Sequence, residues 1–74
     1  MFSNVPKKYR EAGTLNASIG DLVELNPMSM MMGGGIAIVV SKGDQTYKVK
    51  YIKNGYETVA DDYVDIVRIV SKAK

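Results

Sequence analysis

Short runs in which apolar and polar residues alternate, or in which apolar residues are continuous, fill the chain from about residue 19 to residue 70. They predict β-strands, because a two-residue period is that of a strand with one buried face. We predict five strands: Ile19–Leu25, Ile36–Ser41, Thr46–Lys53, Tyr56–Ala60 and Val64–Val70. Asp61-Asp62-Tyr63 predicts one turn of tight helix before the last strand, capped by Asp61 or Asp62.

The dipeptide Asn54-Gly55 is the strongest hairpin signal in the chain and predicts a two-residue type I′ turn. Such a turn would place Ile52 and Val59 on the lysine-bearing face of the sheet. A bulge reverses the parity of a strand, so we expect a bulge or a strong bend near residues 51–53.

Residues 1–18 lack the strand pattern and are interpreted as an N-terminal arm. Within the arm, the segment 5–13 predicts one or two helical turns, which are marginal in water when isolated. The arm therefore either drapes on the domain or becomes ordered on a partner. Residues 71–74 form a polar tail.

Five segments between the arm and the tail resemble the layout of small SH3-like proteins from tailed bacteriophages. The resemblance covers about residues 19–70 and rests on Gly20-Asp21-Leu22-Val23, Gly35-Ile36-Ala37-Ile38-Val39-Val40, Tyr47-Lys48-Val49-Lys50-Tyr51, Asn54-Gly55 and Asp61-Asp62-Tyr63-Val64-Asp65-Ile66-Val67. It implies an all-β fold, a five-stranded SH3-like small barrel with an N-terminal arm. Tyr51 stands where an aromatic residue, often Trp, is usual, whereas the arm and a methionine-rich insertion at 28–32 lie outside the shared pattern.

The composition limits the catalytic and metal-binding chemistry that the chain can carry out. The 74 residues include no Cys, His or Trp, and the net charge is +2. The commonest general base and the usual zinc ligands are therefore missing. Asp61, Asp62 and Asp65, with Glu57 nearby, come closest to a paired-acid site, but solvation and capping explain them better. We expect no enzyme activity, no metal and no cofactor.

Gly33-Gly34-Gly35 lacks the Gly-Lys-Ser/Thr ending of a phosphate loop and precedes a strand instead of a helix. The longest apolar run, Ile36–Val40, is far shorter than the ~20 residues of a membrane-spanning helix. Residues 1–10 lack the apolar core of a signal peptide. We therefore expect no membrane association, no signal-peptide secretion, and a location in the host cytoplasm or the virion.

Four methionines within five residues are the most unusual feature of the sequence. A domain this small cannot bury them all, and methionine side chains adapt to irregular apolar surfaces. We expect a protein contact here, or alternatively a loop that covers one end of its own barrel. The predicted contact residues, from the arm and this loop, are Phe2, Val5, Tyr9, Met28, Met30, Met31 and Met32.

The sequence thus favours a non-enzymatic protein-interaction module. The resemblance suggests a virion structural, decoration or joining protein, whose partner would be a capsid or tail protein, with a homo-oligomer possible. A weaker third candidate is an enzyme subunit or regulator that binds a host protein.

The main alternative is a nucleic-acid-binding small barrel, loosely similar to the KOW and Tudor barrels. Its contacts would be Lys48, Lys50, Tyr51 and Lys53. On a regular strand, however, Lys48 and Lys50 point away from Tyr51, so a solvated strand face is the competing interpretation.

Overall fold

The computed structural model describes residues 15–73, and these build an all-β fold on one five-stranded antiparallel sheet. Along the sheet the strands lie in the order β4-β3-β2-β1-β5, and β4 and β5 are its two edges. The sheet is therefore open. The strands are β1 (Leu22–Leu25), β2 (Gly35–Lys42), β3 (Thr46–Tyr51), β4 (Glu57–Asp61) and β5 (Ile66–Ser71).

The five predicted strands are confirmed, although the first and last begin later than predicted. Alternation is clearest in β3, where Tyr47, Val49 and Tyr51 are buried and Lys48 and Lys50 are exposed. The apolar side chains of one sheet face form the core, together with two residues from 15–18 and one from the loop after β1. The core consists of Leu15, Ala17, Val23, Leu25, Met30, Ala37, Val39, Tyr47, Val49, Tyr51, Ala60 and Ile66.

The arm is described only in part. Leu15 and Ala17, which the sequence assigned to the arm, are buried in the core. The predicted helical turns at 5–13 lie outside the described residues. Residue 73 of the predicted polar tail contacts the body of the domain, because its backbone N–H donates to the Asp21 carboxylate over 2.6 Å.

The hairpin between β3 and β4 does not contain the predicted two-residue type I′ turn. Lys50 pairs with Glu57, and the Tyr51 N–H donates to the Tyr56 carbonyl over 2.8 Å, so the loop has four residues, 52–55. Gly55 has a φ of +76°, whereas Asn54 does not adopt a positive φ. Four-residue loops of this kind need a left-handed residue only at one position.

Of the predicted bulge or strong bend near residues 51–53, the bulge is absent, because β3 and β4 pair without a register shift, whereas the chain turns at residues 52–54. A register shift occurs instead in β2, between Val39 and Ser41. Val59 accordingly stays on the lysine-bearing face, directly opposite Lys48, and is exposed.

The predicted helical turn before β5 is a hydrogen-bonded turn over residues 62–65, with no helix. The Asp65 N–H donates to the Asp61 carbonyl over 3.0 Å, and the Asp61 N–H donates to the Asp65 carboxylate over 2.8 Å. The side chain that caps this turn is therefore that of Asp65. The predicted cap, Asp61 or Asp62, is wrong.

We expect Gly55→Val to lower the free energy of unfolding by about 1–2 kcal/mol, because a side chain at positive φ is strained. A Cβ at this position would meet no atom within 4 Å, so the loss comes from the backbone conformation and not from a clash. Thermal melting followed by circular dichroism measures it. Lys53→Val in the same loop is the control and should melt like wild type; equal melting of both variants would contradict the four-residue loop.

Candidate functional site

Residues 26–34, which we call the Met loop, connect β1 to β2 and are fixed at their start by Asn26. The Asn26 N–H donates to the Asp65 carbonyl over 2.8 Å, and its side-chain amide donates to the Val64 carbonyl over 3.0 Å. The Asn26 side-chain oxygen accepts the Met28 N–H over 2.9 Å. One polar side chain thus ties the loop to the turn before β5 and also shapes the loop itself.

The end of the Met loop is held by the core. The Tyr51 hydroxyl donates to the Gly33 carbonyl over 2.6 Å, and the Gly33 N–H donates to the Met30 carbonyl over 2.9 Å. A Cβ on Gly34 would lie 2.9 Å from the Leu25 carbonyl oxygen and 3.0 Å from Cδ of Pro27. The glycine run before β2 therefore meets a steric requirement at Gly34.

The anchored loop separates the methionines into two groups. Met30 is 8% exposed and belongs to the core, whereas Met28 is 89%, Met31 102% and Met32 43% exposed. The expectation that a small domain cannot bury all four is confirmed. Met30, which was also predicted as a contact residue, packs mainly in the core and keeps only a small exposed surface.

Because Met30 is buried and Met31 is exposed, alanine substitutions at the two positions should change the free energy of unfolding by different amounts. Met30→Ala should destabilise the fold by about 2 kcal/mol, since it removes buried side-chain volume. Met31→Ala should change the free energy of unfolding by no more than about 0.5 kcal/mol, because its side chain lies in solvent. Urea denaturation of the two proteins compares them directly. Equal stabilities would mean that Met30 does not pack in the core.

A cleft of about 190 Å³ lies between the Met loop, the β4 edge and the residue that precedes β5. Its lining combines thioether, aromatic and aliphatic surface with a hydroxyl or carboxylate at several points. The lining residues are Ser29, Met30, Met31, Met32, Tyr56, Thr58, Val59 and Asp65. The lining is about equally polar and apolar, and the cleft is smaller than the roughly 300–1,000 Å³ of typical small-molecule sites, so it can hold a side chain of a partner but not a large ligand.

The sequence identified the methionine side of this cleft and missed the β4 side. Tyr56 and Val59 are exposed by about half, 48% and 59%, and both line the cleft. Val59 carried a signal, because a regular two-residue turn without a bulge would place this apolar residue on the lysine-bearing face. No local pattern indicates that the loop before β2 meets β4, since the two are distant in sequence.

The residues of the nucleic-acid alternative do not form one surface. Lys48, Lys50 and Lys53 are exposed, but the Tyr51 ring is fully buried and cannot stack on a base in this conformation. Lys50 also lies directly opposite Glu57 on the same face. This pairing offsets part of the positive potential that a phosphate backbone would require.

Phe2, Val5 and Tyr9, the contact residues predicted in the arm, lie outside the described residues. Within residues 15–73, no group of three or more acidic side chains is arranged to hold a metal ion. In the same part of the chain, no helix has the length and apolar character needed to cross a membrane.

Comparison with protein-family models, curated proteins and solved structures finds no match to this chain. Function is therefore inferred from the geometry of the cleft and the Met loop.

Proposed function

We propose that this chain is a non-enzymatic protein-interaction module, an SH3-like small barrel that decorates or joins parts of a larger assembly such as a bacteriophage virion. The observation that carries the proposal is the exposure of Met28, Met31 and Met32 on a loop anchored at both ends. In water these thioethers are unfavourably hydrated, and a partner surface would bury them.

The energetics support a contact made by this loop. Full burial of one methionine side chain stabilises a complex by about 1.5–3 kcal/mol before other costs. Ordering a loop on binding opposes association, and this cost is smaller where the loop already has its conformation. The hydrogen bonds of Asn26 and Tyr51 hold the loop in place, so less of the burial energy is lost to ordering.

The sheet order supports the proposed barrel class. A small antiparallel barrel requires a meander that curls until its ends approach each other. Here the Met loop at one end of β1 bonds to residues 64 and 65 before β5 and also forms a cleft with β4. Loops, not strand hydrogen bonds, thus connect the β4 and β5 sides of the open sheet.

The test compares two surface variants of the full chain. Wild type and the variant Lys48→Glu/Lys50→Glu should both co-sediment with a particle fraction prepared from cells that produce the protein. The triple variant Met28→Ser/Met31→Ser/Met32→Ser should stay in the supernatant while keeping its circular dichroism spectrum. Added salt should leave the wild-type association largely intact, since apolar contacts are not screened.

The opposite pattern would overturn the proposal. If the serine variant sediments as wild type does and the glutamate variant is released, the lysine face makes the contact. A steep loss of wild-type binding with salt would then indicate nucleic acid.

A further inference from the structure

The Met loop concentrates the sulfur chemistry of this chain. The sequence has no Cys, so the thioethers of its five methionines are the only sulfur groups that a peroxide can oxidise, and four of them lie within residues 28–32. A peroxide converts a thioether to a sulfoxide, and the apolar side chain then becomes polar. An oxidant that meets this protein therefore acts mainly on the loop that carries the proposed contact.

The fold divides these thioethers by their access to solvent. Met28 and Met31 are almost wholly exposed and Met32 is partly exposed, whereas Met30 packs in the core. Because a peroxide must reach the sulfur atom, we expect Met28 and Met31 to react first, Met32 next and Met30 last. The four residues lie within one short run of sequence, so the fold alone sets this order.

The conformation of the loop does not depend on sulfur. Asn26 and Tyr51 anchor the loop at its two ends through hydrogen bonds in which every donor and acceptor is nitrogen or oxygen. The sulfur that does support the fold is that of Met30, which is buried. Oxidation of the exposed thioethers should therefore change the surface of the loop and leave the domain folded.

We propose that Met28, Met31 and Met32 form a reversible oxidation site that switches off the contact made by the Met loop. The oxidant is a peroxide. A lone pair of the sulfur attacks the peroxide, so that an S–O bond forms, the O–O bond breaks, sulfur loses two electrons, and hydrogen peroxide is reduced to water. A methionine sulfoxide reductase reverses the step: a dithiol is oxidised to a disulfide, and the oxygen leaves as water. The inference rests on the proposed interaction function and names its regulation.

The loss of the contact has a direct physical cause. A sulfoxide oxygen accepts hydrogen bonds from water, and an apolar partner surface offers none in exchange. Burying this polar group without a hydrogen-bond partner is unfavourable. The exposed methionines therefore favour a partner surface as thioethers and favour water as sulfoxides.

The first experiment measures which sulfurs react. Purified full-length protein is treated with hydrogen peroxide, and tandem mass spectrometry locates the added oxygen in the tryptic peptide 11–42, which contains all four loop methionines and excludes Met1. Met28 and Met31 should react several-fold faster than Met30 in the folded protein, and the rates should converge in concentrated urea. Equal rates in the folded protein, or a difference that urea leaves unchanged, would overturn selection by the fold.

The second experiment measures the contact. Once the peroxide has been removed, the oxidised protein is mixed with the untreated particle fraction. Its co-sedimentation should fall several-fold while its circular dichroism spectrum stays unchanged, and treatment with a methionine sulfoxide reductase should restore binding. The matched control is Met28→Leu/Met31→Leu/Met32→Leu, because leucine is apolar and of similar volume but takes up no oxygen. This variant should co-sediment equally well before and after peroxide treatment.

Three results would contradict the switch. They are undiminished co-sedimentation of protein that carries the three sulfoxides, an equal loss of binding by the leucine variant, and unfolding of the oxidised protein. Failure of untreated wild type to co-sediment would instead refute the Met-loop contact, and its regulation with it. The order of oxidation is measured without a partner, so the two kinds of failure are distinguishable.

Discussion

Replacing Tyr51 with alanine should remove about 3–5 kcal/mol of folding stability, as expected for a large buried aromatic side chain. Tyr51 is the largest fully buried side chain of the described residues. A chain of 74 residues has a total stability of about 4–11 kcal/mol at ordinary values per residue, so this loss is a large fraction of the whole. Chemical denaturation of the variant measures it, and a midpoint close to that of wild type would contradict the packing.

Tyr51→Phe separates the ring from the hydroxyl. It keeps the buried ring and loses the 2.6 Å hydrogen bond to the Gly33 carbonyl, a cost of about 1 kcal/mol. Because this bond fixes one end of the Met loop, the variant should also show faster amide hydrogen exchange within residues 28–33. Tyr63→Phe, a more exposed position, is the control and should show neither effect.

The Tyr51 hydroxyl should make the free energy of unfolding decrease at alkaline pH. Burial, with smaller contributions from Asp65 and Tyr56, raises the pKa of Tyr51 above its ordinary value of 10.0. A raised pKa means that the folded state holds its proton more tightly than the unfolded chain does. This contribution is complete below pH 10.0 and is lost as pH rises through the higher folded pKa.

The strands could be predicted from the sequence because alternation is a local signal. Tyr47, Val49 and Tyr51 face the core since they sit two residues apart on one regular strand. The hairpin loop was predicted two residues too short, because Asn54-Gly55 indicates a turn but does not determine where pairing stops. Pairing stops at Tyr51, whose ring enters the core and whose backbone bonds to Tyr56.

The cleft could be predicted only in part, because long-range contacts decide which methionines are exposed. Asn26 reaches residues 64 and 65, and Tyr51 reaches residue 33, and these bonds orient the loop. With the loop so oriented, Met30 turns inward and Met31 outward. Nothing in the sequence Met-Ser-Met-Met-Met distinguishes the two positions.

Asp21 makes long-range contacts that the local sequence could not reveal. Its side chain is fully buried and accepts the Ser18 N–H over 2.8 Å and the Ala73 N–H over 2.6 Å. The Lys72 ammonium lies 2.9 Å from the same carboxylate. Two of these partners lie more than fifty residues away, so the sequence placed Asp21 only within the first predicted strand.

These bonds should make Asp21 the main acid-sensitive group of the fold. The Ala73 N–H above all, then the Ser18 N–H and Lys72, lower the pKa of Asp21 from 3.8 to about 2, against the opposing effect of burial. A lowered pKa means that its stabilisation is complete above pH 3.8 and is lost as pH falls toward about 2.

Asp21→Asn should therefore lower the melting temperature at neutral pH by roughly 5–15 °C, since buried N–H groups lose a charged acceptor. The difference from wild type should shrink as the pH is lowered from 5 toward 2, because wild type loses the same charge there. Asp44→Asn, an exposed position between β2 and β3, is the matched control and should follow wild type throughout. A pH-independent difference between Asp21→Asn and wild type would mean that the asparagine acts by altered packing, and that the Asp21 charge does not hold residues 18 and 73 together.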